Sequence, residues 1–68
     1  MKPIYKVLLN GRLTQLFDDK EEAIQYAEYI KDSMVKDDVV YIREDKSEII
    51  FSIEKGDGDK YARFMGSA

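Results

Sequence analysis

The sequence predicts an α+β domain of ββαββ order, an antiparallel sheet of up to four strands with one helix packed across one face. Three observations carry this reading. Asn10-Gly11 divides two apolar runs and is a strong short-range hairpin signal. Residues 18–35 bring apolar side chains back at helical spacing behind an acidic start. Residues 39–53 read as a second hairpin, Val39 to Ile42 and then Ile49 to Ile53, around Glu44-Asp45-Lys46-Ser47.

In the first hairpin, residues 4–17, both turn residues tolerate the positive φ of a type I′ turn. A two-residue loop opposes Leu9 to Arg12, Leu8 to Leu13, Val7 to Thr14, Lys6 to Gln15 and Tyr5 to Leu16. One face then carries Tyr5, Val7, Leu9 and Leu16, and the other Ile4, Leu8, Leu13 and Phe17. A three-residue loop with Gly11 in a bulge shifts the pairing by one and mixes the two sets, so both registers stay open. In either case the hairpin carries more apolar side chains than one helix can cover.

The helix is expected over residues 18–35. Asp18 or Asp19 serves as N-cap, and Glu21 and Glu22 lie where the positive end of the helix dipole favours anions. Ala23, Ala27, Ile30 and Met34 form one stripe, with Ile24 and Tyr26 along its edges. The two alanines let the helix axis come close to a sheet. Opposite them lies a polar face of Glu21, Gln25, Glu28 and Asp32, with Tyr29 between face and stripe.

In the second hairpin the expected partners are Arg43 with Glu48, Ile42 with Ile49, Tyr41 with Ile50 and Val40 with Phe51. That places Val40, Ile42, Ile49, Phe51 and Ile53 inside, and leaves Tyr41, Ile50 and Ser52 outside near Val39. Residues 1–55 then form the domain. Residues 56–68 read as a Gly/Asp-rich linker, Gly56-Asp57-Gly58-Asp59, and an aromatic and basic tail that includes Tyr61, Arg63, Phe64 and Met65.

With 68 residues the chain is near the lower limit for folding without a staple, and it contains no cysteine or histidine. No disulfide, structural zinc, metal site or cofactor is therefore expected. A core this small gains from a second copy, so a homo-oligomer is expected. The 44% hydrophobic and 37% charged fractions fit a folded domain, and no apolar run reaches the length of a membrane span. A cytoplasmic location is expected. A net charge of −3 argues against a general nucleic-acid binder.

Catalysis has few parts to work with. The serines have no histidine base, and no carboxylate pair is marked as buried, so an enzyme is not expected. Gly56-Asp57-Gly58-Asp59 resembles the start of a calcium loop but lacks the closing glutamate.

Two surfaces remain after ordinary structural roles are assigned. The first is the acidic helix face, Glu21, Glu22, Gln25, Glu28, Tyr29 and Asp32, suited to a basic partner surface. The second is apolar and aromatic, chiefly Tyr41, Ile50, Tyr61, Arg63, Phe64 and Met65 with Tyr5, Leu8 and Leu13, suited to self-association or a protein partner.

The run from Tyr5 to Arg12, followed by Phe17-Asp18-Asp19-Lys20-Glu21-Glu22-Ala23-Ile24-Gln25-Tyr26-Ala27, resembles the opening of many short ββα-type proteins of Gram-positive bacteria and their phages. The likeness covers roughly the first half and transfers no functional residue. It implies a context in which small accessory proteins bind a host or competitor protein and inhibit it. The expected function is a non-catalytic protein-interaction module. The alternative is a small nucleic-acid-binding or transcription-regulating domain using Lys2, Lys6, Arg12, Lys60 and Arg63.

Overall fold

Hairpin chemistry and one amphipathic helix account for most of the architecture, seen in a computed structural model that describes residues 3–45 and 48–65. Strands β1 (Tyr5–Leu9) and β2 (Arg12–Phe17) lead into helix α1 (Lys20–Lys31). Strands β3 (Val39–Glu44), β4 (Ile49–Lys55) and β5 (Tyr61–Met65) follow. All five strands form one antiparallel sheet in the order β2-β1-β3-β4-β5.

The expectation of at most four strands is thus corrected to five. The segment read as linker and tail is a tight turn followed by β5. Gly56 N–H donates to the Lys60 carbonyl at 2.9 Å and Lys60 N–H to the Asp57 carbonyl at 3.0 Å, while Gly58 takes φ 60°. The Gly and Asp residues that suggested looseness are those a compact turn uses. Beyond it the chain pairs Tyr61 with Lys55 and Met65 with Phe51.

In the first hairpin Asn10 has φ 52° and Gly11 φ 86°, the signs a type I′ turn requires. The two-residue loop is observed, and Leu9 opposes Arg12 and Leu8 opposes Leu13. The register then shifts, so that Val7 meets Gln15, Lys6 meets Leu16 and Tyr5 meets Phe17. Thr14 is the extra residue, and its hydroxyl donates to the Val7 carbonyl at 3.0 Å. This bulge exchanges Leu16 and Phe17 relative to uninterrupted alternation. Phe17 reaches the core, and Leu16 remains exposed.

The second hairpin differs in a similar way. Val40 pairs with Ile53, Tyr41 with Ser52 and Ile42 with Phe51, two residues from the expected register. An even shift keeps every side chain on its own face, so Val40, Ile42, Phe51 and Ile53 are buried as expected. Arg43 pairs with Ile49, which leaves Ile50 as the inserted residue. The bulge turns Ile50 against the core and leaves Ile49 exposed, correcting their expected placements.

Helix α1 starts at the Asp19 N-cap, whose carboxylate accepts from the Glu21 N–H at 3.3 Å. It ends earlier than expected, at Lys31, with Asp32 as C-cap. Tighter turns follow, from Ser33 N–H to the Ile30 carbonyl and from Met34 N–H to the Lys31 carbonyl. Met34 is still buried, although it lies past the helix end. Ala23 and Ala27 are fully buried and bring α1 down onto the sheet, with Ile24, Tyr26 and Ile30 at the margins.

A polar clamp ties the first turn to the entry of β3. The Asn10 side chain donates to Asp38 Oδ1 and accepts from the Val39 N–H, both at 3.0 Å. Asp38 Oδ2 accepts from the Val35 N–H at 3.0 Å, and Asn10 N–H donates to the Val39 carbonyl at 2.8 Å.

Expectations that involve Met1, Lys2, the Lys46-Ser47 turn and Gly66-Ser67-Ala68 lie outside the described residues. Among the described residues, no helix is long and apolar enough to cross a membrane.

Candidate interaction surfaces

Because side chains alternate along a strand, each side of the sheet has its own composition. The side facing α1 holds Val7, Val40, Ile42, Phe51 and Ile53. Continued onto β5, it also holds Tyr61, Arg63 and Met65, through the pairs Lys55 with Tyr61, Ile53 with Arg63 and Phe51 with Met65.

Here β5 and α1 are joined by side chains. Arg63 approaches Glu28 with Nε on Oε2 at 2.9 Å and Nη2 on Oε1 at 3.0 Å, a two-pronged contact. Lys31 Nζ reaches the same Oε1 at 3.0 Å. The Arg63 guanidinium, aided by Lys31, lowers the Glu28 pKa to about 2, against a smaller opposing effect of burial. The same pairing raises that of Arg63. Tyr61 donates to the Lys31 carbonyl at 3.4 Å, a second hydrogen bond to an acceptor at the helix end that also takes the Met34 N–H. Its ring lies 4.5 Å from Lys55 Nζ and 5.6 Å from Lys31 Nζ. Lys55 in turn donates to the Gly58 carbonyl in the turn before β5.

The acidic surface is consequently divided. Glu28 is engaged by Arg63 and Lys31, whereas Glu21, Glu22, Gln25 and Asp32 are exposed. Tyr29 stands beside them, 72% exposed, with its ring 6.3 Å from that of Tyr26. Tyr26 contacts Phe17 at 5.3 Å, so an aromatic path runs from the sheet edge to the acidic surface.

Among the described residues, no helix lies over the far side of the sheet. Registers align Leu13, Leu8, Tyr41, Ser52 and Phe64 as one cross-strand row. Leu16, Lys6, Arg43 and Ile49 form a second row on one side of it. Val39, Glu54 and Ala62 form a third on the other side. Leu13 and Leu16 are each 51% exposed and Phe64 57%.

Of the residues expected to form one apolar surface, the structure brings Leu8, Leu13, Tyr41 and Phe64 together on this side, whereas Tyr5 packs against the core on the helix side. Ile50 turns inward, and Tyr61, Arg63 and Met65 lie on the helix side. Leu16 and Ile49 belong to the outer surface but were assigned elsewhere by unbroken alternation. The two bulges leave little trace in sequence beyond a Thr-Gln and an Ile-Ile step.

The shallow clefts have volumes of about 230, 280 and 260 Å³, smaller than typical small-molecule sites. Among the described residues no group of three or more metal-ligating side chains converges, and no buried side-chain polar atom lacks a partner. Lys6 lies on the outer sheet surface, Arg63 on the helix side and Arg12 at the end of edge strand β2, so these basic residues do not form one stripe. No protein-family model matches the chain, and no curated protein or solved structure matches it.

Proposed function

We propose that this chain is a non-catalytic protein-interaction module that self-associates and occludes a surface on a partner protein. The observation that carries the reading is the opposition of two exposed surfaces on one small scaffold, an apolar sheet side and an acidic, tyrosine-bearing helix side. The apolar side supplies area removed from water, and the acidic side steers encounter with a basic target. Tyr29 provides a large, rigid contact with a polar tip. The resemblance to short phage and bacterial accessory proteins supports reading the chain as an encoded inhibitor acting in the cytoplasm.

The test is affinity co-purification from the native host with the wild-type chain and with a variant carrying Glu21→Lys, Asp32→Lys and Tyr29→Ala. A protein retained by the wild type and lost from the folded variant supports the reading. Identical retention by both would remove the helix side from consideration.

A further inference from the structure

The uncovered sheet side leads to a specific second occupant. We infer that it is the interface between two copies of this chain, packed sheet on sheet about a two-fold axis along Leu13, Leu8, Tyr41, Ser52 and Phe64. The inference rests on the interaction reading above and gives it a geometry.

Shape is the first argument. The row runs across all five strands without a break in pairing, and it is apolar at four of five positions. A two-fold axis along it sets each of these residues near its own copy, so an apolar line meets an apolar line. Packed sheets lie about 10 Å apart with side chains from both filling the gap, a spacing that leucine, tyrosine and phenylalanine can fill.

Charge selects the axis. Lys6 and Arg43 are cross-strand neighbours on one side of the row, and Glu54 lies on the other side. An axis along the central strand β3 would bring Arg43 over Arg43 of the second copy. An axis along the row exchanges the flanking rows and brings Glu54 of each copy over Ile49 of the other, one strand from its Arg43. Complementarity within a single surface indicates a second copy in preference to a foreign protein.

Area is sufficient. Five strands spaced about 4.8 Å apart and roughly 20 Å long project on the order of 480 Å², and side-chain relief raises the accessible area toward the ~800 Å² per partner of a standard interface. The whole chain exposes 4796 Å², so association would withdraw a substantial share of it from water.

The experiment is sedimentation equilibrium on the full chain at about 10 to 500 μM, spanning the weak-dimer range. The wild type is expected at twice its 7.9 kDa mass. Arg43→Glu and Glu54→Arg each weaken the dimer by about tenfold or more, and the double variant recovers to within about threefold of wild type. Phe64→Lys gives a folded monomer, with folding checked by circular dichroism. A monomeric wild type at every concentration overturns the inference, as does a dimer insensitive to Phe64→Lys. Single reversals that weaken the dimer without recovery in the double variant overturn the two-fold along the row. A monomeric wild type also removes self-association from the proposed function, but none of these outcomes alters the helix-side co-purification test, so partner binding and self-association fail separately.

Discussion

At the residue scale, Glu28 and Arg63 carry a pH-dependent part of the stability. The folded pKa of Glu28, about 2, lies below its ordinary value of 4.5, so its contribution is complete above that value. It is lost as pH falls from about 4.5 to about 2, the range in which the folded carboxylate takes up its proton. Glu28 and Arg63 side chains are 33% and 44% exposed, so water screens the pair. Arg63→Met is expected to lower stability at pH 7, with the difference from wild type shrinking as pH falls from about 4.5 to about 2. Urea denaturation of both proteins across that range measures it. Asp38 also has a lowered pKa, held down first by the Val35 N–H and then by Asn10, but it titrates in both proteins and cancels from the difference. Asn10 supports a second prediction. Asn10→Ala removes the clamp on Asp38 and Val39 and places a Cβ residue without a local polar partner at φ 52°, for a loss of about 1 to 3 kcal/mol. Asn10→Gly loses the same hydrogen bonds but tolerates the backbone angle, so its smaller loss in the same titration isolates the clamp.

At the element scale, helix α1 depends on small residues to approach the sheet. Ala23 and Ala27 are fully buried, leaving no room for a longer side chain. Ala27→Leu has nearly equal helix propensity but must lift the helix or distort its neighbours, and is expected to destabilise by about 1 to 3 kcal/mol in thermal or urea unfolding. The helix and the first turn were legible because each is specified within a few residues. Asp19, Glu21 and the alanine spacing mark the helix, and Asn10-Gly11 marks the first turn. The bulges at Thr14 and Ile50 were not, because register there is decided by which side chains the finished core accepts. Ile50 and Ile49 are chemically identical, and only the closed sheet distinguishes them. Strand β5 was hidden for a different reason. Its partner, β4, already had a complete apolar pattern, and nothing local in Tyr61–Met65 says that Arg63 will find Glu28 on the helix.

At the scale of the whole molecule, one helix cannot shield a five-stranded sheet from water on both sides. The interaction surfaces were legible in outline, as surplus apolar residues and an acidic helix face. Their membership was set by the sheet, which joined Leu16 and Ile49 to Tyr41 and Phe64 and drew Glu28 into an ion pair. If two copies associate through the uncovered side, stability becomes linked to concentration by mass action. The midpoint of thermal unfolding is expected to rise by several degrees between about 5 and about 500 μM for the wild type. For Phe64→Lys it should stay constant, and differential scanning calorimetry at several concentrations checks both.

The tyrosine at the start of β5 also makes that strand observable one proton at a time. With the Lys55 ammonium over the Tyr61 ring, 4.5 Å from its centre, the neighbouring methylene is expected to feel the ring's magnetic shielding. Its resonance should move upfield whenever β5 is seated and return to the ordinary lysine position when the strand lifts. Nuclear magnetic resonance could therefore follow the attachment of this last strand separately from the unfolding of the domain.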